Sequence, residues 1–195
     1  LLTKLQASRG RPDRIKTCDC CGLRVLESLS HILQVCPRTH RARIKQHDRV
    51  QDQAGRMFRR LGYKTEITPH FQTAEGLRKP DLLIWGEGKP TVVLDVCIVS
   101  DMYDDPDTPH KAKVAYYGEN QGVRDGAARL SGSPPAFGSI SISWRGCFGP
   151  ASAAQLRRLG LTQADLGLLA AIAVEQGALV HRIFNQSTHA THLPP

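Results

Sequence analysis

The chain has 195 residues, with 26 Lys and Arg against 18 Asp and Glu, a formal net charge of +8 and a pI near 9.4. That length allows one domain with a real core plus a small appendage, and the charge points to a polyanionic partner, nucleic acid first. Aromatics make up 6% of residues, too few for a platform that stacks single strands; no run of about 18 apolar residues marks a membrane span, and no signal-peptide pattern opens the chain.

Residues 1–16 are polar and basic, with Lys4, Arg9, Arg11, Arg14 and Lys16 around Gly10 and Pro12. They read as a basic linker, either a solvated leader or an arm laid on DNA. The opening Leu1-Leu2-Thr3 lacks a methionine and reads as the start of an excerpt from a longer protein. Of six cysteines, three follow closely at 18, 20 and 21, which in a basic protein without a secretory signal suggests metal rather than disulfides. Cys18-x2-Cys21-x9-His31-x4-Cys36 has the pattern of a CCHC zinc knuckle over residues 17–40. Two thiolates on a tight turn share one tetrahedral Zn²⁺, and a returning His and Cys fill the other two positions. Cys20 is an alternative member of the first pair, and His40 an alternative fourth ligand. A closed four-ligand site is structural rather than catalytic. Ser28–Gln34 reads as a short helix carrying His31. A core of Leu23, Val25, Leu29, Ile32, Leu33 and Val35 is too small to hold without metal.

Arg38–Leu61 reads as a helix, because Val50, Ala54, Met57, Phe58 and Leu61 recur at helical spacing. Arg41, Arg43, Lys45, Arg49, Arg56, Arg59 and Arg60 make it strongly basic, offset only by Asp48 and Asp52, and favour phosphate contact. Gly62 ends the helix. Tyr63–Thr68 reads as a strand and 69–77 as a loop, with His70 and Glu75 as ordinary loop residues.

Residues 79–99 are the centre of the pattern. Leu82–Trp85 is one apolar run, 86–90 a turn rich in Gly and Pro, and Thr91–Val99 a second run, apolar on both faces as a buried strand would be. Asp95 lies in its middle, where an unpaired carboxylate costs several kcal/mol. A five-residue turn sets Trp85 against Thr91 and therefore Asp81 against Asp95. Opposed residues bring their Cβ atoms to about 5 Å, where like charges repel. A divalent cation such as Mg²⁺, which takes one or two carboxylates besides water and phosphate oxygens, resolves the conflict.

Beyond the hairpin, Asp101, Asp104, Asp105 and Asp107 form an acidic loop, read as solvated and helix-capping. Thr108 and Pro109 open a helix as N-cap and first residue. Lys111 and Lys113 lie in its first turns, and Lys113 shares a face with Tyr117. Residues 118–126 read as a break with a short strand near 121–124, and 127–138 as a loop. Ser139–Trp144 alternates as a strand with Ile140, Ile142 and Trp144 on one side. Pro150–Leu159 reads as a helix. Thr162-x-x-Asp165 resembles a capping box before a long helix whose core stripe is Leu166, Leu169, Ile172, Ala173, Leu179, Val180, Ile183 and Phe184. Residues 187–195 read as a tail, with His189 and His192 as surface residues.

An Asp pair on a hairpin followed by a lysine resembles the PD-(D/E)xK nuclease superfamily. There the lysine stands two residues after the second acid, and here that position is Cys97. A variant that carries the lysine on the following helix, behind a CCHC zinc motif, is the restriction-like endonuclease of site-specific non-LTR retrotransposons, including those inserting in ribosomal RNA genes. The chain is similar to that family from about residue 17 to 186, most clearly at Leu29-Ser30-His31-Ile32-Leu33-Gln34 with Cys36-Pro37, at Arg78-Lys79-Pro80-Asp81-Leu82, and at Ser143-Trp144-Arg145-Gly146.

The resemblance implies an α/β fold: a restriction-endonuclease-like mixed sheet flanked by helices over 41–186, after the knuckle. It implies a nuclear enzyme that hydrolyses a phosphodiester of double-stranded target DNA and leaves a 3′-hydroxyl to prime reverse transcription. Asp81 and Asp95 would hold Mg²⁺ or Mn²⁺, and Lys113, with Lys111 as runner-up, would stabilise developing charge. Cys18, Cys21, His31 and Cys36 would hold Zn²⁺. Arg41, Arg43, Lys45, Arg49 and Lys79 are the candidate DNA contacts. The partners implied are the rest of the polyprotein, with its reverse transcriptase, and its RNA; no membrane is implied. The alternative is a nucleic-acid-binding module whose nuclease site is degenerate, suggested by Cys97.

Overall fold

The structure, a computed structural model, describes Thr3 and residues 17–22, 24–100 and 103–189, with side chains through 186. The basic arm apart from Thr3, Leu23 of the knuckle, Asp101 of the acidic loop, His192 and the side chain of His189 lie outside the described residues. Two compact units are present: Leu1–Gln46 with Val174–Pro195, and His47–Ala173. The division falls inside helix α1 (His40–Arg60) and inside the last helix, α5 (Gln163–His189).

In the larger unit, runs of β-branched and aliphatic residues build a mixed sheet in the order β1-β4-β5-β6. The strands are β1 (Lys64–Ile67), β4 (Leu82–Gly86), β5 (Lys89–Val99) and β6 (Ala136–Ser143). β4 lies antiparallel to β1 and β5, and β6 parallel to β5. A parallel step needs a long crossover, and α2 (Thr108–Gly118) and α3 (Gln121–Ser131) supply it. Side chains alternate between the two faces of a strand. Leu82, Ile84, Val92, Leu94, Val96, Ile140 and Ile142 face one core, shared with Val50, Ala54, Met57 and Phe58 of α1, Leu156 of α4 (Pro150–Arg158), and Leu166, Leu169 and Ala173 of α5. Leu83 and Val93 face the other, with Tyr117 of α2 and Val123 and Ala127 of α3. Asp95 and Cys97 alternate onto this second face.

The hairpin turn is tighter than expected. Gly86 pairs with Lys89 around Glu87-Gly88, and an irregularity between Ile84 and Gly86 absorbs the change. Leu82 still pairs with Leu94 and Ile84 with Val92, so the same offset carried back one residue sets Asp81 across from Asp95.

Several loops expected from the sequence are regular. The 69–77 segment holds a small hairpin, β2 (Phe71–Thr73) and β3 (Gly76–Arg78). The supposed break and strand at 118–126 and part of the 127–138 loop are α3, capped by Asn120, whose side chain accepts from the Val123 N–H at 3.1 Å. Its glycines misled because they read as breakers; a Cβ on Gly122 would lie 2.8 Å from Thr73, and one on Gly126 would strike the Phe71 ring. They let α3 close on β2. Asp107, not Thr108, occupies the cap position of α2, and its carboxylate accepts instead from the Ala151 N–H at 2.8 Å. In α5, Val180 and Phe184 are buried but Leu179 and Ile183 are exposed, so the apolar stripe is narrower than expected. That helix, over Gln163–Gln186, is long and apolar enough to cross a membrane by length and composition, where no apolar run stood out because Gly, Ala and Gln interrupt it. Leu166, Leu169 and Ala173 of the same helix are core residues.

The capping box forms. The Thr162 N–H and hydroxyl donate to Asp165 Oδ2 at 2.9 and 2.7 Å, and the Asp165 N–H donates back to Thr162 Oγ1 at 3.1 Å. Arg60 donates to the other oxygen. The Thr162 donors, then Arg60, hold the Asp165 carboxyl down to about 2. Asp165→Ala should therefore cost about 1 kcal/mol of stability, the usual worth of a cap. A carboxyl depressed by folding stabilises above its unfolded pKa of about 4. Denaturant titrations should show the full gap above that pH and see it close as pH falls through about 2.

Candidate metal centres

The smaller unit is organised by four side chains. A short turn carries Cys18 and Cys21, with the Cys18 N–H donating to the Val25 carbonyl at 2.8 Å and a bridge between Thr17 and Leu26. His31 opens a π-helical turn, His31–Val35, whose first N–H is capped by Ser28 Oγ at 3.1 Å. The Cys36 N–H returns to the His31 carbonyl at 2.8 Å. The ligand atoms of Cys18, Cys21, His31 and Cys36 all lie within 4.8 Å of one another, and His31 Nε2 is 3.5 Å from Cys21 Sγ. Cys20 and His40 are outside this group. Three thiols and one imidazole at these separations fit tetrahedral zinc.

Electrostatics agree. Burial pushes Cys18 up to about 12, with Cys21 and Cys36 adding to the shift, and burial also raises Cys36. A dication would replace that mutual repulsion with attraction. Burial holds His31 below its usual value, which favours the neutral imidazole that binds metal. Among the described residues of the expected apolar core, Ile32 and Leu33 are buried, while Val25 and Val35 are exposed. Polar ties do much of the holding. Arg43 Nη1 donates to the Gln34 carbonyl at 2.6 Å, Arg38 Nε to the Cys20 carbonyl at 2.8 Å, and Thr39 Oγ1 to the Ile32 carbonyl at 2.6 Å.

In the larger unit, β5 holds Asp95 in its middle, 4% exposed. Tyr117 donates to Asp95 Oδ1 at 2.9 Å, and the Lys113 ammonium lies 2.8 Å from Oδ2. The shared face of Lys113 and Tyr117 on α2 therefore points at this carboxylate. Asp81, just before β4, accepts from the Val96 N–H at 2.7 Å and contacts His47 Nε2 at 3.0 Å, both on Oδ2. Burial and then the Asp81 charge raise the Asp95 carboxyl above its usual range, against Lys113 and Tyr117. Burial alone would lower His47, but the hydrogen bond and charge of Asp81 bring it up to about 9. Burial likewise opposes the Lys113 ammonium, and Asp95 outweighs it. Cys97 donates to Asp95 Oδ2 at 3.7 Å; burial pushes its thiol up to about 12, so it stays uncharged. On the neighbouring strand, Ser139 and Ser141 pair in register with Asp95 and Cys97 and share a hydrogen bond at 2.8 Å. Two carboxylates, one just before β4 and one within β5, that repel each other are of the donor type a hard divalent cation takes.

The other expected residues divide. Lys111 is exposed and paired with Asp105 at 2.7 Å, so the helix presents Lys113 to the carboxylates and turns Lys111 away. Arg43, another of the candidate DNA contacts, is half-buried and donates its guanidinium to the Gln34 and Cys36 carbonyls of the knuckle. Arg41, Lys45, Arg49 and Lys79 are exposed. Glu75 is tied to Thr73 at 3.1 Å and to Asn120. Sequence reasoning missed His47. The available signal was its position: it precedes Val50, Ala54 and Phe58 at helical spacing on the inward face of an otherwise basic helix.

No protein-family model matches the chain. Relatives exist nonetheless. The chain is 30% identical over 193 residues, 98% of its length, to the Retrovirus-related Pol polyprotein from type-1 retrotransposable element R2 of Nasonia vitripennis. It is 31% identical over 168 residues to the corresponding protein of Popillia japonica, covering 86% of the chain. A third relative, from the type-2 element R2DM of Drosophila melanogaster, is 28% identical over 181 residues, 92% of the chain. The chain spans 19% of the Nasonia protein, 34% of the Popillia one and 17% of the Drosophila one. It belongs, as one segment, to the Pol polyproteins of R2 non-LTR retrotransposons.

Purified protein should contain one Zn²⁺ per chain by elemental analysis. Cys36→Ser should lower that content sharply and raise the amide exchange of residues 17–37, since a structural zinc carries folding energy. The His47–Ala173 unit should keep its protection. Protein purified without zinc would refute the assignment.

Proposed function

We propose that the larger unit is a metal-dependent DNA endonuclease with a restriction-endonuclease-like core. It nicks the element's chromosomal target in the nucleus and leaves a 3′-hydroxyl from which the polyprotein's reverse transcriptase copies its RNA. The observation that carries this reading is the convergence of Asp81, Asp95 and Lys113 on one face of the sheet. The mixed sheet with helices on both faces is consistent with such a core.

Asp81 and Asp95 would hold Mg²⁺ or Mn²⁺. When bound, such an ion polarises a phosphoryl oxygen and lowers the pKa of bound water. The protein's own groups do the rest. Lys113, half-exposed beside Asp95, supplies positive charge to a phosphate as negative charge develops on it. Tyr117 fixes the Asp95 carboxylate by its Oδ1. Cys97, two residues after Asp95, lacks the charge that a lysine would bring there, and Lys113 reaches the same carboxylate from α2. That arrangement favours an active site over a degenerate one. The zinc unit is structural in this reading, and Arg41, Lys45, Arg49 and Lys79 contact the duplex backbone.

Plasmid nicking with Mg²⁺, with and without chelator, tests the reading. Asp81→Ala and Asp95→Ala should each abolish nicking while duplex affinity persists. Lys113→Ala should slow it by about 100-fold or more, the scale of losing one preorganised charge-stabilising group, while Lys111→Ala stays near the parent rate. Asp95→Ala nicking at the parent rate would overturn the proposal in favour of a binding module.

Duplex affinity should itself fall steeply with salt. Changing Arg41, Lys45 and Arg49 together to Ala should flatten the slope of log K against log salt by about 0.9 for each phosphate no longer neutralised. A slope identical to the parent's would place the binding face elsewhere.

A further inference from the structure

Asp81 is held by more than its own strand. Gln51 of α1 donates from Nε2 to the Asp81 carbonyl at 2.7 Å and to Thr68 Oγ1 at 2.9 Å. The Thr68 N–H donates to that same carbonyl at 2.8 Å, from a backbone with φ of 50°. A β-branched residue rarely adopts that conformation, and it persists only where surrounding contacts enforce it. The carboxylate is fixed as well as the backbone. His47, one turn before Gln51 on α1, meets Oδ2 at 3.0 Å, and the Val96 N–H meets the same oxygen at 2.7 Å. A carboxylate oxygen that also takes the Val96 N–H accepts, so Nε2 is the donor of this pair. His47 Nδ1 is 3.3 Å from Asp48 Oδ1, which steadies the ring. Among the described residues, the side-chain contacts of Asp81 end on Oδ2.

We propose that His47 is a positioning residue for the divalent-cation site. Together with the Val96 N–H it ties down Oδ2, so that Oδ1 is the oxygen turned toward the cation. The inference rests on the nuclease reading above and adds to it that α1, besides contacting DNA, fixes a metal ligand. An exposed, merely cationic role does not explain the geometry. Arg41, Lys45 and Arg49 are exposed, whereas the His47 side chain is 31% exposed and directed at Asp81.

The test is Mn²⁺ binding to the purified chain, followed by electron paramagnetic resonance, alongside nicking and duplex affinity without metal. Partners that orient metal ligands are worth ~10–100-fold in metal affinity. His47→Leu should weaken Mn²⁺ binding by that factor and leave metal-free duplex affinity unchanged. His47→Gln, whose amide nitrogen reaches as far as Nε2, should restore most of the loss. His47→Asn, shorter by one carbon, should not. If His47→Leu fails to fold, the Gln and Asn pair decides, and equal Mn²⁺ affinity in those two overturns the proposal. Parent-like Mn²⁺ binding by a folded His47→Leu also overturns it. A parent protein that neither binds Mn²⁺ nor nicks DNA fails at the nuclease reading; a parent that does both, with His47 variants indifferent, fails at His47 alone.

Discussion

Two carboxylates, Asp81 just before one strand and Asp95 in the middle of the next, stand across from each other on a face that is largely out of water. Left alone, each would lose hydration and repel the other. The neighbouring elements answer that conflict. α2 brings Lys113 and Tyr117 to Asp95, α1 brings His47 to Asp81, and the backbone of β5 gives its Val96 N–H. β6 completes the polar face with Ser139 and Ser141 while Ile140 and Ile142 serve the opposite core. The alternation Ser-Ile-Ser-Ile-Ser is thus a strand buried on both sides, one apolar and one polar.

This arrangement lets the apolar side of the sheet supply stability while the polar side holds the ionisable groups. Leu82, Ile84, Leu94, Ile140 and Ile142 are fully buried, and burial of each such side chain is worth about 1.5–3 kcal/mol. That is enough to support buried charges whose pairing is at best near break-even in stability. The small unit solves the opposite problem. Among its described residues Val25, Leu26 and Val35 are exposed, and it has a Cys and His group that could hold a metal ion, together with arginine and threonine donors to its carbonyls. Arg43, which by composition belongs with the other cations of α1, works there as a brace.

The sequence alone determined the elements whose signal is local. Thiol and imidazole spacing marked the group at Cys18, Cys21, His31 and Cys36; helical periodicity marked α1 and the start of α5; and the apolar run at Thr91–Val99 marked a buried strand with Asp95 inside it. The offset that sets Asp81 against Asp95 was also legible, although the turn is shorter than expected, because an irregularity between Ile84 and Gly86 restores the register. What only the tertiary structure decided depends on contacts distant along the chain. Gly122 and Gly126 read as breakers until Thr73 and Phe71 pack against them. Lys111 and Lys113 are equivalent on paper, and only the rotation of α2 over β5 pairs one with Asp105 and the other with Asp95. His47 went unread in the sequence because its partner, Asp81, lies 34 positions on. Periodicity reports which way a side chain faces, but the partner it meets there is set by how the elements pack.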